Sequence, residues 1–410
     1  MNAPTPGSSL TSSTGSRNEQ TRRHNLSTLL TLVHHGGAMS RADLTRMTGL
    51  NRSTIGALTS ELAAAGLVFE SAALEVGTVG RPSPMVNSSS DVVALAINPD
   101  IDAIEVGAVS LGGEVLARAH RTTDAAPTPE EARDLAVELI ADVRAQLEPS
   151  VRIVGVGVAV PGLVHAPSGT ITRAPHLGWE DVAWGEMLAD ALDLLVYVGN
   201  DAAVAVVAEA VFGAGQGATN LMYLNGSASG IGGGIIAGGA LIVGADGFAG
   251  ELGHTLVTSD GIACHCGRRG CLETEVNMDR LHLAAEQSGI PAADAMEEVA
   301  TAPSGPFAAE VDREVDVLAH GIANLISVFN PSAVVLGGFL GDLYAARPDR
   351  IRAGVLAHAF APLADSVRIE RAQLGDELLL VGAAELAFAP LLHNPAGWVA
   401  GAYATTENRD

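Results

Sequence analysis

From Leu26 the apolar positions Leu26, Leu29, Leu30 and Val33 follow the i, i+3, i+4, i+7 spacing of a helix with one buried face, and Gly36-Gly37 stops it. Ser40 then stands three residues before Asp43, a capping-box-like start to a short second helix whose inward residues are Leu44 and Met47 and which Gly49 ends. Asn51 caps a third helix with Ile55, Leu58 and Leu62 turned inward and Gly66 at its end. Two short helices across a Gly-containing turn match a helix-turn-helix. Leu67-Val68-Phe69-Glu70 has strand character, and Gly80-Arg81-Pro82 could form the far side of a hairpin wing.

The outward positions at the start of the third helix are Arg52, Ser53 and Thr54, with Thr59 further along. Such side chains bond phosphate oxygens or base edges, and the N-terminal part of a recognition helix is what enters the major groove. Arg41, Arg52, Ser53, Thr54 and Arg81 are therefore the candidate DNA contacts. A three-helix interaction module without a DNA role is the other reading of this periodicity.

Met1 to Arg17 is rich in Ser, Thr, Pro and Gly and has no basic-then-apolar signal pattern, so it reads as a disordered tail of a cytosolic, cytoplasmic protein. Ala228 to Ala245 has the minimum length of a membrane span, but seven glycines interrupt it, and strands joined by a tight turn are expected instead of membrane insertion. The 410 residues suffice for two to three domains.

All 23 basic residues are arginine. Without lysine there is no Schiff-base enzyme, no pyridoxal-phosphate enzyme and no Walker A nucleotide site. The net charge of −24 is unevenly spread: residues 1–85 hold seven arginines and five acids, the remainder 16 and 42. A near-neutral head on a strongly acidic body implies two units with different partners.

Cys264, Cys266 and Cys271 lie within eight residues, and His254 lies ten residues upstream. Three thiolates and one imidazole make a closed tetrahedral zinc set, so the ion would be structural; Gly267 and Gly270 allow the tight turn this needs. His265 is a competing fourth ligand, cramped between two ligating neighbours, and Arg268 and Arg269 could offset the thiolate charge. The alternative is three inert thiols beside an unrelated histidine.

The stretch "SRADLTRMTGLNRSTIGALTSELAAAGLV" followed by "GRPS" resembles the winged helix-turn-helix of bacterial repressors over residues 20 to 85. "GELGH" followed by "CHCGRRGCLE" resembles the zinc signature of the ROK family of sugar kinases and sugar-responsive repressors. "VGVAVPGLV", "RAPHLGW", "VGNDAAVAVVAE", "SGIGGGII" and "AVVLGGFL" extend that resemblance across residues 92 to 390. It implies an α/β chain: a winged helix-turn-helix, then a two-lobed actin-like ATPase (ribonuclease H-like) sugar-kinase fold. The expected division is a tail at 1–17, the head at 18–87, the effector body at 88–395 with a zinc loop at 254–271, and a C-terminal tail at 396–410.

The resemblance further implies that Asn200, Asp201, Glu251, His254 and Glu273 bind a sugar, groups that a ring of hydroxyls can satisfy. Asp201 matches the kinases' general base, His254 would serve both sugar and zinc, and Trp179 would lend an apolar wall. His176 replaces an asparagine usual in the family. Where the kinases carry an Asp-x-Gly-Gly-Thr-Lys phosphate turn, this chain has Asn98-Pro99-Asp100-Ile101-Asp102. Proline removes an N–H and the aspartates repel phosphate, so ATP is not expected to bind. The expectation is a repressor with an impaired kinase body as sugar or phosphosugar sensor, binding operator DNA as a homodimer or homotetramer. A sugar kinase carrying a DNA-binding head, and an acidic body that docks a protein, are the rivals.

Overall fold

A computed structural model of the chain describes residues 12–72, 83–165, 168–301 and 304–399. The head comprises α1 (Ser12–Gly36), β1 (Met39–Ser40), α2 (Arg41–Thr48), α3 (Arg52–Ala64), β2 (Val68–Ser71) and β3 (Met85–Ser88). Its strands form an antiparallel sheet in the order β1-β3-β2. Both helix starts are capped as the sequence indicates: Ser40 Oγ accepts from Asp43 N at 3.0 Å, and Asn51 Oδ1 from Thr54 N at 2.9 Å. Helix α1 begins inside the segment read as a tail, because Glu19 pairs with Arg22 and Arg23 one turn on and carries the helix back from its apolar stripe.

Two orientations differ from the periodicity. Met47 is exposed, since the eight-residue α2 buries only Leu44. Thr59 is buried, because its hydroxyl donates to Ile55 O at 2.8 Å and no longer needs water. The wing tip, residues 73–82 with Arg81, lies outside the described residues.

The first lobe of the body runs β4 (Val92–Pro99), β5 (Ala103–Ser110), β6 (Val115–Thr122), α4 (Pro129–Arg144), β7 (Arg152–Val160), β8 (Leu163–His165), β9 (Thr170–Ala174), β10 (Trp179–Val182), α5 (Trp184–Leu192), β11 (Val196–Asn200) and α6 (Asp201–Phe212). Its main sheet has the order β11-β7-β4-β5-β6, parallel on one side of β4 and antiparallel on the other. The central strands are buried on both faces and read as continuous Val, Ile and Ala runs.

The second lobe starts with β12 (Leu221–Ser227), β13 (Gly230–Ala237) and β14 (Ala240–Leu241), continues through α7 (Leu272–Glu275), α8 (Met278–Gln287), α9 (Ala295–Glu298) and α10 (Pro306–Phe329), then β15 (Ala333–Gly337), α11 (Gly338–Ala346), α12 (Pro348–His358), α13 (Ala361–Ala364) and β16 (Arg368–Arg371). Its sheet order is β14-β13-β12-β15-β16. The apolar stretch near residue 237 is thus a hairpin, and no described helix is long and apolar enough to cross a membrane.

Helix α14 (Leu378–His393) returns to the first lobe, packing on β7, β4 and α6, and α15 (Pro395–Val399) follows. One apolar cluster joins head to body: Leu26, Leu29, Leu30 and Val33 of α1 pack with Val92 and Ala94 of β4 and Phe388 and Leu391 of α14. Arg152 donates to Ala65 O and Gly66 O at 2.9 and 2.8 Å, and Gly66, at φ +66°, has no side chain to block it. Trp398 lies 5.3 Å from the Arg152 guanidinium, so α15, which starts at the edge of the expected C-terminal tail, packs at this junction.

Candidate functional site

Strand β11 ends and α6 begins at Asn200-Asp201, on the floor of a cleft of about 360 Å³ between the lobes. Asn200 caps α6, accepting from Ala203 N at 2.9 Å while its amide donates to Gly162 O and Asp201 Oδ1, both at 3.0 Å. Its role visible here is to orient the aspartate. Asp201 Oδ1 also accepts from Ala202 N at 2.8 Å. Burial pushes the Asp201 carboxyl up to about 6 against that N–H, with help from Asp100 and Glu251. Such a carboxylate is suited to accept a proton or a hydrogen bond from a hydroxyl.

Glu251, His254 and Glu273 line the same cleft, so the structure brings all five expected sugar residues together. Glu251 also has its carboxyl raised, chiefly by burial and next by Glu273, with His254 opposing. His176 is in the lining with Arg173, Asn225, Ser227 and Ser229, none of which but His176 was singled out from sequence. Trp179 is not in the wall: it is buried against Trp184, and its indole donates to Pro127 O at 2.9 Å. Its polar N–H needed a partner in the interior, and the loop just before α4 supplies one.

At one end of the cleft His254 Nδ1 lies 3.5 Å from Cys264 Sγ, and Cys266 Sγ lies 3.7 Å from Cys271 Sγ. All four ligand atoms fall within 4.8 Å of one another. Tetrahedral zinc separates two thiolates by about 3.7 Å and a thiolate from an imidazole by about 3.5 Å, so the donor set fits the ion. His265 contributes no better: it is exposed, with Nδ1 3.9 Å from Cys264 Sγ. An Arg268 hydrogen bond lowers the Cys266 thiol to about 6, while burial raises those of Cys264 and Cys271. Glu273 Oε1 sits beside both Cys264 Sγ, at 2.9 Å, and His254 Nδ1, at 3.1 Å, tying cleft to cluster. His254 turns its other nitrogen, Nε2, toward Glu251 at 3.7 Å. Glu275 holds the loop by accepting from Ile262 N at 2.7 Å.

The region corresponding to the kinase phosphate turn is a tight hairpin in which Asp100 N donates to Ala103 O at 2.8 Å. Beyond it a polar cavity of about 560 Å³ contains Asn98, an Arg118–Glu105 ion pair, an Arg371–Asp342 pair at 2.5 Å and Tyr223, whose hydroxyl donates to Asn225 Oδ1 at 3.1 Å and lies against Gly337. Both arginines of this cavity, Arg118 and Arg371, are thus paired with carboxylates of the chain itself.

In the head, Arg52 is exposed at the first turn of α3. The Ser53 and Thr54 hydroxyls donate to Asn51 Oδ1 at 2.6 and 3.0 Å. Arg41 is engaged in a two-pronged pair with Glu70 of β2 at 2.5 and 2.8 Å, which fixes α2 to the wing strand.

Fold and site together define a two-lobed sugar-kinase-type body with a winged helix-turn-helix joined to its first lobe. The ROK family model matches residues 95–389, and the chain belongs to the ROK family. The xylose repressor of Caldicellulosiruptor bescii is 27% identical over 377 residues, 87% of this chain and 93% of that protein. A ROK family transcriptional regulator homologous to the E. coli MLC protein has the same fold, at a TM-score of 0.74 over 93% of this chain and 99% of its own, with 24% identity. A ROK family glucokinase from Streptomyces griseus, solved with glucose and AMPPNP, matches 72% of this chain and 99% of its own at a TM-score of 0.63 and 28% identity. The xylose repressor and the transcriptional regulator each match more of this chain than the glucokinase does, 87% and 93% against 72%.

Proposed function

We propose that the chain is a sugar-responsive transcriptional repressor of carbohydrate genes, whose inter-lobe cleft binds an aldose through Asp201, Glu251, His254 and Glu273 and whose α3 enters operator DNA. The observation that carries this reading is a cleft lined by Asp201, Glu251, His254 and Glu273 in a chain whose Asn98-Pro99-Asp100 segment turns in a tight hairpin. Zinc at His254, Cys264, Cys266 and Cys271 would be structural, holding His254 in the cleft wall. Two heads in a homodimer would read two half-sites. Calorimetric titration of the full chain with D-xylose and D-glucose tests the reading. Binding of either that is lost in Asp201→Asn supports it; no binding of either sinks these sugars as effectors.

The raised Asp201 carboxyl favours one second reading, an ATP-dependent sugar kinase carrying a DNA-binding head. ATP-dependent phosphorylation of either sugar, abolished in Asp201→Asn, would establish it.

A further inference from the structure

His34 is a wholly buried polar residue of the head, and three body elements meet on it. Its Nε2 lies 2.7 Å from Glu385 Oε1 of α14, and its Nδ1 accepts from Gly112 N at 2.8 Å in the β5–β6 turn. The rings of Phe212, the last residue of α6, and Phe388 of α14 stand edge-on to it at 5.6 and 5.2 Å. His35 reaches the second oxygen of Glu385 at 3.3 Å, and its ring also meets Phe212. An imidazole whose Nδ1 accepts a backbone N–H carries its proton on Nε2, so His34 donates to the carboxylate. That tautomer leaves no lone pair for a cation, and the His34, His35 and Glu385 cluster is a hydrogen-bonded joint, not a metal site. Burial would raise the Glu385 carboxyl, yet the hydrogen bonds from the two imidazoles oppose it and lower it.

The same α6 starts in the sugar cleft. Its cap and first residue are Asn200 and Asp201, and its twelve residues span about 18 Å to Phe212. Two contacts bind α6 to α14. Gly382 lies directly on Val204 O, where a Cβ would come within 2.5 Å. Buried Glu209 of α6 accepts from Gln373 N and Leu374 N, just before α14, at 2.9 and 3.0 Å. Beside the joint a cavity of about 750 Å³, bordered by Thr31, His35, Val207 and Leu386, leaves α1 room to shift.

We propose that α6 and α14 act as one strut carrying the state of the sugar cleft to the head, with the Glu385–His34–His35 hydrogen bonds as the joint through which α1 follows it. The proposal rests on the repressor reading for its effector but not for its geometry. A rigid helix with one end in each site gives both ligands a common element to bias, which coupling requires.

The test is hydrogen exchange of the α1 amides in the full chain, with calorimetry of D-xylose and D-glucose alongside. Without sugar, Glu385→Gln and the milder Glu385→Asp should raise exchange in residues 22–36 about tenfold. With a saturating sugar the wild-type exchange in this segment should change, whereas in Phe212→Leu the sugar should bind within about twofold of wild type and the α1 response should fall at least about fivefold. A sugar-free arm uses Asp201→Asn, which should alter α1 exchange in the wild-type background but not beside Phe212→Leu. If neither sugar binds, the choice of effector fails while the sugar-free arms still decide the strut. Unchanged α1 exchange in both Glu385 variants, or an α1 response that survives in Phe212→Leu, would overturn it.

Discussion

Burying the Asp201 carboxyl at the head of α6 costs the folded chain stability. The carboxyl titrates near 6 instead of the usual 3.8, so the folded chain holds the proton more tightly than the unfolded chain does. The resulting penalty is full above pH about 6 and disappears as pH falls below about 4; since the residue still lines an open cleft, it amounts to at most on the order of 3 kcal/mol at neutrality. Asp201→Asn should therefore raise the melting temperature at pH 7, with a gain that shrinks toward pH 4, while abolishing sugar binding. Thermal melts across that range check it, and a lower melting temperature at pH 7 would contradict the origin assigned to the shift. Arg52 makes the opposite case, an exposed cation proposed to act in an intermolecular contact. Arg52→Ala should weaken operator binding about tenfold without changing sugar affinity. Fluorescence anisotropy on an operator selected from a random duplex library measures this, and retained DNA affinity would refute the placement of α3. Arg41 was read alongside Arg52, but spacing along one chain could not show that Glu70 would claim its guanidinium.

At the scale of elements, what could be read from the sequence was local. The stripe Leu26, Leu29, Leu30, Val33 is buried as expected, the caps at Ser40 and Asn51 are in place, and the cysteine spacing brought its four donors within reach. Periodicity states that a residue turns inward but not what covers it; hence α14 as the cover for α1 was invisible, and Glu385 is 351 residues from His34. The Trp179 assignment failed for a related reason, because proximity to cleft residues in sequence does not fix the side of a strand. The zinc proposed at His254, Cys264, Cys266 and Cys271 carries its own prediction. Removing metal with a chelator should release three titratable thiols, loosen residues 254–276 and lower sugar affinity at least about tenfold through His254 and Glu273. Metal analysis with a thiol count tests it, and full sugar affinity in metal-free protein would separate the cluster from the cleft.

For the whole molecule, the proposed DNA contact falls on the near-neutral head of a strongly acidic chain. Repulsion between the body and phosphates would confine the contact to that head, so the salt dependence of operator binding should reflect only its few arginines. The shared apolar cluster adds a mechanical condition. A fragment of residues 12–90 would expose Leu26, Leu29, Leu30 and Val33 where β4 and α14 now cover them. It should be largely unfolded by circular dichroism under conditions where the full chain is folded, and an independently folded fragment would show that the junction is a docking contact and not a common core. The clamp of Arg152 on Ala65 and Gly66, with Trp398 beneath it, bears on how such chains can be recombined. A chimera made by cutting in the connection between β3 and β4 would leave half of the clamp behind, because its pieces come from β7 and the C-terminal helix as well as the head. Exchanging DNA specificity between relatives therefore requires redesigning the outward face of α3 in place, not swapping the head as a cassette.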